Sequence, residues 1–166
     1  MLVKAGALIE LWFPAEKNRR EVKAASVVNL AVSHDARLLA TCAWDGKIHL
    51  WDVETGELRD VFAGQLVGFF GLAFSSDDTR LAAGGFDGSV TLWDLVTSPR
   101  RQVAQWKAAR RWCDWLEFRE DDTALITSGE PLQENERFRT VIRCWPAPTL
   151  AEIDRQLLRA GPEPIR

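Results

Sequence analysis

The chain has 166 residues, of which 46% are apolar and 27% charged, as in ordinary globular proteins. Its net charge of −3 gives no general attraction to nucleic acid or to an anionic membrane surface. The sequence contains no run of about 20 apolar residues, the length that a membrane-spanning helix needs. The N-terminus lacks the features of a signal peptide. Together with the three widely spaced cysteines, Cys42, Cys113 and Cys144, which are interpreted as reduced core residues, these totals favour a cytoplasmic protein.

Short alternating runs of apolar and polar residues predict β-strands along most of the chain. In chain order, they are expected at 8–13 and 20–25, then at 27–33, 38–43, 47–52 and 57–62, then at 69–75, 80–85, 89–94 and 101–106, and finally at 113–119, 124–128 and 140–145. A charged insertion at 130–139 is expected to form a protruding loop. The strands therefore group into four units, which span 1–26, 27–63, 64–107 and 108–148.

The last segment, 149–166, differs from the rest. Thr149 and Glu152 have the spacing of a capping box, and Leu150, Ile153 and Leu157 follow at helical spacing. We expect a short amphipathic helix at about 150–160 that packs on the last unit.

Two of the units repeat one pattern, WDGKIHLWD at 44–52 and FDGSVTLWD at 86–94. Asp-Gly between alternating runs predicts a tight hairpin, because glycine readily adopts the positive φ that such turns require. A period of about 42 residues with four short strands is typical of a propeller blade. The repeated stretch is therefore interpreted as a structural element rather than as a catalytic motif.

These residues resemble the WD-repeat β-propeller family. The resemblance rests on Trp51-Asp52, Trp93-Asp94, the two Asp-Gly turns and the segment FGLAFSSDD at 70–78. It covers about residues 7–148 and implies an all-β fold: a partial propeller of about three and a half blades with a short C-terminal helix. The ending CWPAPTLAEIDRQLL also resembles the C-termini of some bacterial WD-repeat proteins, which predicts a natural chain end there.

In that family, a tryptophan on the third strand of a blade hydrogen-bonds a serine or threonine on the second strand. This pair is linked to a histidine and to the aspartate of the Asp-Gly turn. The resemblance implies that Lys23 and Gln65 stand in the histidine position here, and that Ala83 replaces one hydroxyl. The residues expected to have a structural role in the repeats are Thr41, Asp45, Gly46, Trp51, Asp52, Asp87, Gly88, Trp93, Asp94, Thr127 and Trp145.

Closed propellers have about four to eight blades, so this chain is expected to need further blades. One possibility is that it is the C-terminal portion of a longer bacterial-type protein. The other is that two copies close a ring, the last unit of one copy taking the strand Arg20–Ala25 of the other.

Several aromatic residues are candidates for a partner-binding surface. The resemblance places Trp44 and Phe86 at the narrow top face, and Phe70, Trp112, Asp114 and Trp115 lie where the inner strands begin. Aromatic side chains are enriched at binding hot spots, although packing in the interior or in the seams between blades is the preferred interpretation. The basic stretch Pro99–Trp112 could follow single-stranded nucleic acid, although a solvated outer strand is the preferred interpretation.

Nothing in the sequence has the pattern of a catalytic or phosphate-binding motif, and His34 and His49 have no third ligand in register for a metal. We therefore predict a non-catalytic scaffold for other proteins, with no cofactor and no small-molecule substrate. The alternative is the propeller portion of a multidomain enzyme or kinase-type regulator whose catalytic part lies upstream.

Overall fold

The computed structural model describes residues 2–4, 9–13, 18–24, 27–62, 68–131, 140–153 and 155. Most of the expected loop at 130–139, the end of the expected helix, and Gln65 therefore lie outside the described residues.

The described residues form fourteen strands in four antiparallel sheets, and the strands of each sheet follow one another in sequence. The first sheet contains β1 (Leu2–Lys4), β2 (Ile9–Phe13) and β3 (Asn18–Val22). The second contains β4 (Val27–Val32), β5 (Leu38–Ala43), β6 (Ile48–Asp52) and β7 (Leu58–Phe62). The third contains β8 (Phe69–Phe74), β9 (Arg80–Gly85), β10 (Ser89–Asp94) and β11 (Arg101–Lys107). The fourth contains β12 (Cys113–Phe118), β13 (Ala124–Gly129) and β14 (Val141–Pro146).

The first sheet differs from the prediction in one additional strand and in the bounds of another. Strand β1 was not predicted, because three residues are too few to show alternation. Strand β3 occupies 18–22 rather than 20–25, because its register on β2 pairs Asn18 with Phe13 and Val22 with Ile9. The polar start of this strand has no apolar alternation from which its beginning could be predicted.

The four sheets stand side by side as blades, with β4, β8 and β12 as neighbouring inner strands. Apolar clusters fill the three seams between successive sheets. The first seam joins Ile9 and Leu11 to Leu39 and Trp51, the second joins Ile48 and Leu50 to Leu81 and Trp93, and the third joins Val90 and Leu92 to Leu116 and Leu125. The described sheets do not close into a ring, so the fold is a partial propeller, as predicted.

Two aspartates join the turns of neighbouring blades. The carboxylate of Asp78 accepts hydrogen bonds from the backbone amides of His34, at 2.8 Å, and Asp35, at 2.9 Å. Asp122 does the same for Ser76 and Asp77, at 2.8 and 3.1 Å. Both aspartates have a positive φ, which aspartate tolerates better than most residues. The first link holds the third sheet to the second, and the other holds the fourth sheet to the third.

The C-terminal segment packs at the third seam. Thr149 and Glu152 form the predicted capping box, with Thr149 N donating to Glu152 Oε2 at 2.8 Å and Glu152 N donating to Thr149 Oγ1 at 3.3 Å. Residues 150–153 and 155 are helical, and Ile153 is buried. Among the described residues, none of the helical structure has the length and apolar character needed to cross a bilayer.

Candidate functional site

The turns after β5 and β9 lie at the same end of the sheets as the starts of β4, β8 and β12. The pairing of Phe69, which begins β8, with Gly85, which ends β9, shows this arrangement in the third sheet. We call this end the upper end, and the opposite end, with Asp78 and Asp122, the lower end. The aromatic residues predicted as a binding surface come from segments at the upper end.

Three of them form one contiguous group, the upper aromatic cluster of Trp44, Phe70 and Phe86. The ring centroids of Phe70 and Phe86 are 3.7 Å apart, and those of Trp44 and Phe86 are 5.8 Å apart. Trp44 belongs to the second sheet and the phenylalanines to the third, so the cluster crosses a seam. The side chain of Trp44 is 68% exposed, which leaves a large apolar surface open to solvent.

The backbone explains how Phe70 reaches the cluster. A register shift between Phe69 and Gly71 makes Phe70 an extra residue in its ladder, and such bulges redirect side chains. Asn29 Nδ2 donates to Phe70 O at 2.5 Å from the neighbouring inner strand. Phe86 N donates to Gly68 O at 3.1 Å, which fixes the turn that carries Phe86.

The other three predicted surface residues do not belong to this cluster. Trp112 lies in the loop before β12, 38% exposed, with the Arg111 guanidinium 5.9 Å from the centroid of its ring. Asp114 accepts a hydrogen bond from Ser128 Oγ at 2.8 Å. Trp115 lies in the inner strand β12 and pairs with Ser128 in register. Its neighbour Leu116 faces Gly71 and Gly84 of the third sheet, so Trp115 faces away from that sheet.

The tryptophan–threonine pairs are present in two blades. Trp51 Nε1 donates to Thr41 Oγ1 at 2.9 Å, and Trp145 Nε1 donates to Thr127 Oγ1 at the same distance. In the third sheet, where Ala83 occupies the threonine position, Trp93 instead packs against Phe62 and Phe69, with ring centroids 5.6 and 5.7 Å away. Aromatic packing thus takes the place of a hydrogen bond in that seam.

Removing the hydroxyl of Thr41 is expected to destabilise the protein. In a Thr41→Val variant, the buried Trp51 indole loses its acceptor, which costs about 1–3 kcal/mol of unfolding free energy. Thr127→Val is the matched control, because Trp145 is only half-buried and water can replace the lost acceptor. Urea denaturation of both variants measures the difference, and equal losses would contradict this role for burial.

The turn aspartates act locally. Asp45 accepts from Lys47 N at 3.0 Å, and Asp87 accepts from Ser89 N at 2.9 Å. His49, on β6, lies 3.7 Å from the Asp45 carboxylate and stacks on Trp51 with ring centroids 5.9 Å apart. In the family, the histidine linked to this aspartate precedes the first strand of the blade, where this chain has Lys23. Here the histidine beside Asp45 is His49, which belongs to the same hairpin.

The aspartates that follow Trp51 and Trp93 fix the lower turns. Asp52 accepts from Thr55 N at 2.7 Å and pairs with Arg59. The hydrogen bond from the Thr55 amide lowers the pKa of Asp52 although partial burial opposes it. Burial raises the pKa of Asp94, but hydrogen bonds from Val96, Thr97 and Arg101 outweigh it, so this pKa also lies below its usual value. Both carboxylates are thus held in their charged form within the repeat.

The basic stretch is largely occupied by contacts within the protein. Arg100 lies 3.1 Å from Asp60, Arg101 lies 3.4 Å from Asp94, and Arg111 lies 3.9 Å from Glu130. Trp106, on the outer strand β11, packs against Trp145 with ring centroids 6.3 Å apart. These contacts reduce the charge and the aromatic surface available for stacking nucleotides.

Sequence reasoning missed Arg80 and the two linking aspartates. Arg80 is only 2% exposed and donates to backbone carbonyls of the C-terminal segment at the lower end. Arg80 is equivalent in the repeat to Leu38 of the second blade. This exchange of an apolar residue for a charged one could have indicated a special role. Cys144 was also misinterpreted as a core residue: it is exposed, whereas Cys42 and Cys113 are buried.

A family model for the WD domain, G-beta repeat, matches residues 18–52 and 56–94. A chain of a structure titled "Crystal Structure of Mitotic Checkpoint Complex" is similar, with a TM-score of 0.71 and 19% identity over 84% of this chain and 42% of that one. The computationally designed Ika4 protein is similar with a TM-score of 0.68 and 18% identity, over 88% of this chain and 84% of the designed one. A search of curated proteins found no match.

The chain therefore spans less than half of the first of these two structures and most of the second. At these identities, the two structural matches concern the fold. The matched repeats contain the Trp-Asp pairs and Asp-Gly turns described above, and the four sheets stand as blades around successive inner strands. The chain contains two WD repeats, at 18–52 and 56–94, and has the fold of a partial WD-repeat β-propeller.

Proposed function

We propose that this chain is a non-catalytic scaffold that captures another protein at its upper aromatic cluster. WD-repeat propellers in general serve as protein-interaction scaffolds, which supports the broader part of this proposal. The observation that carries the finer part is Trp44, whose side chain is 68% exposed while it touches Phe86 across a seam. The cluster is held by rigid sheets, so little conformational entropy is lost when a partner covers it.

The proposed partner binds the apolar surface of the upper aromatic cluster and not a charged surface. Phe70 and Phe86 support Trp44 from one side, as the near-neutral contacts around a hot spot commonly do. The alternative of a propeller attached to an enzyme or kinase-type regulator stays a prediction, because none of the described residues bears on it.

Replacing Trp44 with alanine is expected to weaken partner binding by about tenfold or more, since truncated hot-spot residues cost more than about 1.4 kcal/mol. The partner is first identified with a photo-cross-linking amino acid at Lys47, an exposed position next to the cluster, and with the same probe at Val96 as control. Affinity is then measured with the purified partner. The melting temperature should change little, because exposed substitutions usually alter stability by less than about 0.5 kcal/mol.

Val96→Ala is the matched control for that measurement, since Val96 is 65% exposed but lies in the lower turn after β10. An unchanged dissociation constant for Trp44→Ala would contradict the proposed site. A large fall in its melting temperature would show that Trp44 is a packing residue instead.

A further inference from the structure

The outward face of the fourth sheet carries residues at the positions that pack against the next blade in the other sheets. Among the described residues, no sheet packs against this face. In register, one row across this sheet contains Trp115, Ser128 and Ile142, and the next row contains Glu117, Ile126 and Cys144. We call this surface the open face. Ile142 is 71% exposed, Trp115 is 45% exposed and Cys144 is exposed.

The positions equivalent to Ile142 and Cys144 are fully buried in the other three sheets. In every sheet, the first residue of the pair lies three residues before the repeat tryptophan and the second lies one residue before it. In the first three sheets, the side chains of the pair face the following blade. The pairs Ile9 and Leu11, Ile48 and Leu50, and Val90 and Leu92 are all 0% exposed. The open face is thus a fourth copy of a surface that packs on another blade at each of the three described seams.

We propose that the open face binds the first sheet of a second copy of this chain, so that two copies form a closed ring. In the first sheet, Trp12 pairs with Leu2 in the register in which Trp51 pairs with Leu39 and Trp93 with Leu81. In the second and third sheets, this pair belongs to the seam with the preceding blade. The first sheet of one copy therefore has the register of a blade that follows the fourth sheet of another.

The number of blades supports a two-fold ring. Head-to-tail contacts form either closed rings or open filaments, depending on whether the rotation closes. The described residues of two copies bring eight sheets together, within the range of about four to eight blades that closed propellers have. This packing of blade on blade leaves β3 paired with β2, unlike a transfer of the strand Arg20–Ala25 to the other copy. It is also independent of the upper aromatic cluster, so it goes beyond the proposed function.

Cys144 provides a direct reporter of the open face. Burial raises the pKa of Cys42 to about 11 and that of Cys113 to about 12, so neither thiol reacts readily. Labelling of the folded full chain with a maleimide therefore measures Cys144, and a Cys144→Ser variant verifies this assignment. We expect light scattering to give twice the mass of the 18.7 kDa chain, and Cys144 labelling to slow as the protein concentration rises.

The variant Ile142→Glu is expected to be a folded monomer with rapidly labelled Cys144, because a charge at this exposed position harms the interface and not the isolated chain. Val96→Glu, a charge at another exposed apolar position, should leave the dimer intact. A monomeric mass at about 100 µM protein, well above a micromolar dissociation constant, would overturn the proposal. A monomer in which Cys144 is protected from labelling would also overturn it, because another part of the same chain would then cover the open face. Open assemblies larger than a dimer would overturn it as well. Trp44→Ala should leave the mass unchanged, which separates this test from that of the proposed function.

Discussion

Replacing Arg80 with methionine is expected to lower the free energy of unfolding by about 3–5 kcal/mol, the usual cost of breaking a buried charged network at one partner. The Arg80 side chain is 2% exposed. Its guanidinium donates to Pro148 O at 3.0 Å, to Ala147 O at 3.3 Å and to Asp122 O at 3.1 Å, and it lies 5.1 Å from the centroid of the Phe118 ring. Methionine can fill much of the volume but donates no hydrogen bond.

The loss has two physical parts. Three backbone carbonyls that accept from Arg80 would lose a donor in a site that water cannot easily enter. The Asp122 carboxylate, 3.9 Å from the guanidinium, would also lose its nearest positive charge. Since Asp122 links the fourth blade to the Ser76 and Asp77 amides, the lower part of the third seam should loosen together with the C-terminal segment.

Urea denaturation measures the stability, and limited proteolysis measures release of the segment after Pro146. Arg80→Lys is the control: it keeps the charge but cannot donate in the forked geometry of a guanidinium, so an intermediate loss is expected. A methionine variant within about 1 kcal/mol of the natural protein, with its C-terminal segment still protected, would contradict this account.

The fold could be predicted from the sequence because its determinants are local and repeated. Asp45-Gly46 and Asp87-Gly88 each specify a hairpin, with glycine φ values of 75° and 80°. Alternation places most strands to within two residues. Arg80 could not be predicted in its role, since an arginine that begins a strand is usually exposed. Its partners, Ala147 and Pro148, are 67 and 68 residues away in the chain and become neighbours only when the seam forms.

The candidate site was predicted in part for a related reason. Trp44 and Phe86 occupy the same position in two repeats, so period alone places them together. The face that Trp115 occupies could not be predicted, because the ladder shifts register between Cys113 and Trp115. One extra residue in a strand moves the following side chains to the opposite face of the sheet, and no local sequence pattern predicts where such a bulge occurs. An equivalent shift in β8 makes Phe70 the extra residue and brings it into the upper aromatic cluster, whereas the residue after the shift in β12, Trp115, lies on the open face.

Gly88→Ala is expected to lower the free energy of unfolding by about 2–5 kcal/mol. The left-handed backbone, with φ of 80°, costs a residue with a Cβ about 1–2 kcal/mol. A Cβ at this position would also lie 2.2 Å from Ala109 O and 2.6 Å from Arg111 O, so the loop at 108–112 would have to move. Such overpacking adds about 1–3 kcal/mol. Both Ala108 N and Ala109 N donate to Gly88 O at 2.9 Å, so the turn anchors the loop that carries Trp112.

Gly68→Ala separates the two contributions. Gly68 has a φ of 83°, but a Cβ there would meet only carbons of the Phe86 ring, at 3.6 and 3.8 Å, which is ordinary contact. Its loss should therefore be limited to the backbone cost of about 1–2 kcal/mol. Urea denaturation of both variants gives the difference, which measures the close approach of the Asp-Gly turn to the next blade. If both variants lose the same stability, Gly88 is needed for its turn alone. A larger loss at Gly88 would mean that this glycine also lets two blades meet, which the turn itself does not require.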